Sequence, residues 1–146
     1  MSTLLDKALE CTSRLTLEEK VTLITGHDFW NVASNANIGL RQMLVSDGPA
    51  GVRGEFWDER DNSLNLPSST ALGSSWSLSI ATEYGRIVAG EANRKGVDVV
   101  LGPTINLHRS PLGGRHFECL SEDAMLTGAL SSSFVKSVQS QGKGAC

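Results

Sequence analysis

The sequence predicts an α/β fold built from parallel βα units. Two short runs of apolar and β-branched residues, 43–45 and 97–101, each lead into a Gly-Pro turn, and a segment with helical periodicity separates them. Further helical patterns precede the first run and follow the second. Strands that alternate with helices form parallel sheets, because a parallel connection must cross back over the sheet. The expected order is helix, strand, helix, strand, helix.

The first predicted helix begins at residue 16. Segment 16–19 reads TLEE, which fits a capping box, and Leu17, Val21 and Ile24 then repeat at helical spacing. Gly26 is a suitable end for this helix, because glycine readily adopts the left-handed backbone of a helix terminus.

Two more helices are predicted, over about 79–93 and from about residue 121 to 141. The later one is expected to pack through residues four apart: Leu126, Leu130, Phe134 and Val138. The connecting segments 27–41, 48–75 and 102–120 are rich in glycine, asparagine, serine and charged residues, so they are predicted as loops.

Length and composition are those of one ordinary globular domain. The 146 residues are 40% hydrophobic and 20% charged, with a formal net charge of −3. These values exclude an intrinsically disordered chain, and the slightly acidic balance argues against a nucleic-acid partner. No apolar stretch has the length of a membrane span, so no membrane partner is expected.

Cysteine usage and the N-terminus bear on the compartment. The three cysteines are odd in number and widely spaced, so no disulfide framework is predicted. The first residues lack the basic and apolar regions of a secretory signal. Together these observations predict a cytoplasmic location.

Asp47 is the first candidate for a binding role. It follows an apolar strand and precedes Gly-Pro, so its carboxylate should be held at a rigid corner, where it can accept hydrogen bonds from neutral hydroxyls. An Asx turn that caps its own loop accounts equally well for this position. Trp57, in a charged loop, is a candidate for stacking on a sugar ring, whereas Trp76 is expected to lie in the core.

Arg115 and Glu118 form the second candidate. Two glycines precede Arg115 and allow the backbone to approach a ligand closely, and a guanidinium suits paired oxygens. Glu118, three residues later, could hold that side chain in place. A structural ion pair that braces a long loop is an equal alternative. Arg53 and Arg109 are weaker candidates, because arginines in loops are more often solvated.

Other chemistries find little support. His108, His116 and Cys119 match no strong zinc spacing and lack an evident fourth ligand, so no metal site is predicted. The glycines of GPAGVRG do not form a phosphate-binding pattern, and Ser74 and Ser75 lie in no nucleophile elbow. No cofactor is expected.

Four segments occur in an order that resembles glycoside hydrolase family 3, the family of β-glucosidases, β-xylosidases and related exo-acting enzymes. They are LTLEEKVTLITG, SDGPAGVRG, LPSSTALGSSW and GVDVVLGPTINLHRSPLGGRHFECLSED. The likeness covers about residues 15–142. Its most specific parts are the D-G-P motif and the G-G-R-x-F-E-x-x-S-E-D motif.

The resemblance implies that residues 1–146 are the N-terminal part of a (β/α)8 TIM-type barrel. Such a barrel needs about 250 residues, so it is expected to be incomplete in this chain. The family's Lys-His pair, nucleophilic aspartate and general acid/base are expected beyond the segment, which would be truncated before them. No catalytic residue is therefore assigned here. Ser77 and Ala124 stand where the family favours aspartate and proline, which puts the capping of two helices in question.

The resemblance also implies roles for four residues. Asp47 and Arg115 would hydrogen-bond hydroxyls of the sugar in the −1 subsite, Glu118 would support them, and Arg53 would line the site. The implied activity of the full-length parent is retaining hydrolysis of terminal non-reducing β-D-glucosyl residues, with a small-molecule β-glycoside or oligosaccharide as partner. The alternatives are a catalytically inactive fragment or carbohydrate-binding module and, more remotely, a structural α/β module with an unrelated ligand.

Overall fold

The computed structural model describes residues 3–146 and has a mixed α/β fold. In chain order the elements are α1 (Leu4–Ser13), α2 (Leu17–Thr25), β1 (Asn31–Val32), a 3₁₀ turn (Ala36–Ile38), β2 (Met43–Asp47), α3 (Ser69–Ser74), α4 (Leu78–Arg94), β3 (Val99–Leu101), a second 3₁₀ turn (His116–Glu118), α5 (Ala124–Ser140) and β4 (Gly144–Ala145). The strands pair in the order β1-β2-β3-β4. Contacts divide the chain into two compact units, Met1–Leu44 and Val45–Cys146.

Both helices of the first unit begin with a capping box. In α2 the Thr16 hydroxyl accepts a hydrogen bond from the Glu19 amide, and the Glu19 carboxylate accepts one from the Thr16 amide, at 3.2 and 2.8 Å. Thr3 and Asp6 make the same reciprocal pair at the start of α1. Gly26 ends α2 with a φ of 86°. The helix predicted from residue 16 is therefore confirmed.

The apolar stripe of α2 has the predicted spacing, but its side chains are exposed. Leu17, Val21 and Ile24 are 72%, 49% and 86% accessible. Elsewhere in this unit, strand β1 pairs antiparallel with Met43 and Leu44. The segment 27–41 was predicted as loop, and a strand of two residues is too short to show an alternating pattern.

The second unit contains the predicted parallel pairing. Val45 and Asp47 of β2 pair with Val99 and Leu101 of β3, and Val99 also pairs with Gly144 of β4. Helix α4 connects towards β3, and α5 connects towards β4, as βα units require. The core of this unit is formed by buried side chains from helices α3, α4 and α5, strand β3 and two connecting segments: Val52, Leu72, Val88, Val97, Val100, Leu130, Phe134 and Val138.

The helix starts that depart from the family pattern are nonetheless capped. The Ser77 hydroxyl accepts a hydrogen bond from the Ile80 amide at 3.3 Å, and the Asp123 carboxylate accepts one from the Leu126 amide at 2.6 Å. Among residues 3–146, no helix has both the length and the apolar character that crossing a bilayer requires.

The expectation for Trp76 is wrong. This side chain is 76% exposed rather than buried, and its backbone has a φ of 51°. The reason is the tight turn between α3 and α4, which places residue 76 in the left-handed region. Helix α3 itself lies inside the predicted loop 48–75, and its six residues are too few and too small to form an apolar stripe.

Helices α4 and α5 meet at Gly85. A Cβ atom at this position would lie 2.6 Å from the Phe134 carbonyl oxygen and 2.9 Å from the Ser137 Cβ. Nearby, the Ser137 hydroxyl donates a hydrogen bond to the Thr82 carbonyl at 2.7 Å. The absence of a side chain at residue 85 therefore sets the distance between the two helices.

Replacing Gly85 with alanine is expected to destabilise the fold by up to about 2 kcal/mol. Overpacking typically costs about 1–3 kcal/mol, and the better helix propensity of alanine offsets about 1 kcal/mol of it. Gly90 is the matched control, because it lies in the same helix and a Cβ there meets no described atom within 4 Å. Gly90→Ala should stabilise by up to about 1 kcal/mol. Urea denaturation of both variants checks the prediction. Equal changes in the free energy of unfolding would contradict it.

Candidate functional site

A cavity of about 550 Å³ opens in the second unit at the carboxyl end of β2. Its lining brings together the end of that strand, the loop that follows it and the second 3₁₀ turn: residues 47–53, 56–59, 61–65, 68–69 and 117–118. Carboxyl ends of parallel strands are where α/β folds build binding sites.

Asp47 enters this cavity at the point where β2 ends. The following glycine, Gly48, has a φ of 142°, and a Cβ there would overlap the Gly51 carbonyl oxygen, so the chain can turn this tightly only with glycine. The loop then closes back onto the strand, because the Gly54 amide donates a hydrogen bond to the buried Ser46 hydroxyl at 2.8 Å. This closure leaves the Asp47 carboxylate 59% exposed.

Arg53 is the immediate partner of Asp47. Its Nε lies 3.4 Å from Asp47 Oδ2, and its guanidinium carbon lies 5.6 Å from the centre of the Trp57 ring. Trp57 itself is 88% exposed beside the cavity.

Arg115 and Glu118 form a two-pronged ion pair on the second 3₁₀ turn. Arg115 Nε and Nη2 lie 3.1 and 2.7 Å from the two carboxylate oxygens of Glu118. Glu118 is only 16% exposed and lines the cavity, whereas Arg115 is 81% exposed and is not among the lining residues. The hydrogen bond to Glu118 and the charge of Glu118 raise the pKa of Arg115, and the charge of Asp47 raises it further.

Thr70 positions the turn that carries Glu118. Its hydroxyl lies 3.2 and 3.0 Å from the carbonyl oxygens of His116 and Cys119. In the same helix, a Cβ at Gly73 would overlap the Leu120 carbonyl oxygen, so α3 lies directly against this segment. Sequence reasoning missed these residues because it missed α3. The only local signal was Ser68, which caps the helix by accepting from the Ala71 amide.

Two further contacts hold the outer wall of the cavity. The Tyr84 hydroxyl donates to the Pro67 carbonyl at 2.7 Å, and burial raises the pKa of this phenol to about 12. The ammonium of Lys95, which is 2% exposed, lies 2.7 Å from Asp61 Oδ2. Hydrogen bonds from Lys95 and then Arg94 lower the pKa of Asp61. These anchors tie the loop over 61–67 to helix α4.

The remaining sequence candidates lie elsewhere. Arg109 borders a separate cavity of about 600 Å³ beside α5. His108, His116 and Cys119, which the sequence did not predict to form a site, each offer a ligand atom within 4.8 Å of the other two. Burial, followed by the charge of Glu118, raises the pKa of the Cys119 thiol.

The cavity is suited to a neutral molecule with several hydroxyl groups. Its lining includes the exposed indole ring of Trp57 and five carboxylates, of which those of Asp47 and Glu118 are each paired with an arginine. Carboxylates accept hydrogen bonds from hydroxyl groups, and an indole provides an apolar face. The chemistry of these residues is therefore binding and positioning.

Comparisons with known proteins agree on one family. The family model described as "Glycosyl hydrolase family 3 N terminal domain" matches residues 11–145. The chain is 44% identical over 137 residues to "Probable beta-glucosidase I" of Aspergillus clavatus, covering 94% of this chain and 16% of that protein. It is 40% identical over 130 residues to "Beta-glucosidase B" of Emericella nidulans, covering 89% of this chain and 15% of that protein.

Solved structures give the same result. Beta-glucosidase 3B from Thermotoga neapolitana, solved in complex with glucose, has a TM-score of 0.83 and 40% identity, covering 96% of this chain and 22% of that one. The glucose complex of a Kluyveromyces marxianus beta-glucosidase has a TM-score of 0.87 and 38% identity, covering 96% of this chain and 17% of that one. The chain thus spans less than a quarter of each of these relatives.

Proposed function

The chain belongs to glycosyl hydrolase family 3, and we propose that it supplies part of the sugar-binding site of a β-glucosidase. The observation that carries the proposal is the shared cavity of Asp47 and Glu118, beside which Glu118 holds Arg115. Two solved relatives contain glucose, which supports a glucose-like sugar here.

We propose that residues 1–146 form part of the family's N-terminal barrel domain, a (β/α)8 TIM-type barrel. The parallel pairing of β2, β3 and β4 supports this architecture, because successive parallel strands are the unit from which such barrels are built. The location of the cavity at the carboxyl end of β2 supports it as well. The three cysteines are all free, which supports a reducing, cytoplasmic location.

In this proposal each side chain of the site has one task. The Asp47 carboxylate accepts hydrogen bonds from sugar hydroxyls, and Arg53 orients that carboxylate. Arg115 donates to a hydroxyl from the other side, and Glu118 fixes the plane of its guanidinium. These residues bind and orient the ring, while the attacking carboxylate and the acid of a retaining mechanism come from elsewhere in the protein.

The aryl glycoside assay tests this function. The product of the complete reading frame should release the aryl alcohol from an aryl β-D-glucoside, and glucose should compete. No release from β-glucosides, β-xylosides or N-acetyl-β-glucosaminides would contradict the proposal.

A purely sugar-binding role is the second candidate, because the carboxylates of Asp47 and Glu118 are both engaged by arginines. It would give saturable glucose binding by titration calorimetry without turnover.

A further inference from the structure

We propose that His108, His116 and Cys119 form a Zn²⁺ site, completed by a water molecule. Each residue offers one ligand atom, and the three atoms lie within 4.8 Å of one another. Thiolate and imidazole are the ligands that zinc prefers, and three protein ligands with one open position form a known type of zinc site. This inference does not depend on the proposed glycosidase activity.

The local backbone preorganises both imidazoles. His108 Nε2 donates to the His116 carbonyl at 2.7 Å, and His116 Nε2 donates to the Ser110 carbonyl. A carbonyl can only accept, so each Nε2 carries the proton and each neutral ring keeps a lone pair on Nδ1. A hydrogen bond from the ring nitrogen that does not bind the metal is what usually orients a metal-binding histidine.

The loop sequence fits this arrangement. The two rings pack edge to face with centroids 5.3 Å apart. A Cβ at Gly113 would overlap the His116 ring, so only glycine at this position lets the ring lie there. The third ligand, Cys119, is buried at 4% exposure at the end of the same 3₁₀ turn. Two ligands therefore come from one rigid turn, and the third follows β3.

The three ligand atoms need to move only a short distance towards one another to bind zinc. Bonds of about 2.0 Å to nitrogen and about 2.3 Å to sulfur place tetrahedral ligands about 3.3–3.6 Å apart. From the 4.8 Å limit, the atoms would approach by at most about 1.5 Å. On binding, the Cys119 thiol releases its proton to solvent and the sulfur–zinc bond forms, while both imidazoles bind in their neutral forms.

Cobalt substitution tests the site in the full chain. Co²⁺ should bind in a single equivalent and produce a near-ultraviolet thiolate-to-cobalt charge-transfer band, which Zn²⁺ then abolishes by displacement. Cys119→Ser should remove the band, and His116→Gln should weaken Co²⁺ binding by about tenfold or more. Cys146→Ser and His27→Gln are the matched controls, because neither residue belongs to the cluster, and both should bind as the wild type does.

The proposal is overturned if the wild type shows no thiolate band, or if the band survives Cys119→Ser. A second measurement needs no variant and so does not depend on folding of the mutants. X-ray absorption of the Zn²⁺-loaded wild-type chain should show one sulfur together with imidazole nitrogens in the first shell. A shell of oxygen alone would equally overturn the assignment.

Discussion

Asp47→Asn is expected to lower kcat/KM for an aryl β-D-glucoside by roughly 10²- to 10³-fold in the product of the complete reading frame. The substitution keeps the shape but removes the charge and replaces one acceptor oxygen with a donor. Hydrogen bonds to charged groups contribute about 1.5–3 kcal/mol and neutral ones about 0.5–1.5 kcal/mol, so two weakened or lost bonds account for about 3–4 kcal/mol. Each 1.36 kcal/mol corresponds to a tenfold change in rate.

The fold should be unaffected by this change. Asp47 is 59% exposed, and its Oδ2 lies 3.4 Å from Arg53 Nε, so this solvent-exposed pair contributes little to the free energy of unfolding. Thermal unfolding should therefore match the wild type. A variant that lost activity only in proportion to lost folded protein would count against a binding role.

Asp123→Asn is the control for Asp47→Asn. Asp123 caps α5 through a hydrogen bond from the Leu126 amide, and asparagine caps a helix about as well as aspartate. The control makes the same chemical change outside the cavity, so its kcat/KM should remain within about twofold of the wild type. Equal losses in the two variants would show that the assay reports general damage rather than sugar binding.

The parts of the fold that could be predicted are those fixed by local chemistry. The TLEE pattern predicts the capping box at Thr16 because its partners are three residues apart in the chain. The β-branched run before Gly102 likewise predicts β3, and its parallel pairing with β2 follows from the helix between them.

The elements that could not be predicted are held by distant contacts. Helix α3 has six residues and no apolar stripe, and its place is set by Thr70 against the turn at His116 and Cys119. Strand β4 has two residues and exists because it pairs with β3. No pattern within such short segments distinguishes them from loop.

The sequence likewise predicts some of the candidate functional residues and misses others. Asp47 and the Arg115–Glu118 pair were named from their positions after a strand and after two glycines, and Asp47 and Glu118 line one cavity. The histidine–cysteine cluster was not predicted because its residues do not have the sequence spacings of known zinc-binding motifs. Here an irregular loop brings His108 back against His116, a proximity that depends on three-dimensional folding.

Arg115→Ala is expected to lower kcat/KM by roughly 10²-fold or more, the loss typical of removing one preorganised donor from a site where charge or hydrogen bonding develops. Because Arg115 is 81% exposed, the melting temperature should stay within about 2 °C of the wild type. Arg86→Ala is the matched control. Arg86 makes the same two-pronged pair with Glu83 three residues away, on α4 and away from the cavity lining, so its loss should leave kcat/KM unchanged.

The structural alternative for Arg115 predicts a different pattern. If the guanidinium only braces the loop through Glu118, then Glu118→Gln alone should reproduce the Arg115→Ala loss, and the double variant should be no worse than either single variant. If Arg115 donates directly to the sugar and Glu118 orients it, Arg115→Ala should be the more severe change. Arg115→Lys should then recover only part of the activity, because an ammonium lacks the planar pair of donors that Glu118 holds in place. Unchanged kcat/KM in Arg115→Ala would favour an α/β module whose arginine has no part in binding the sugar.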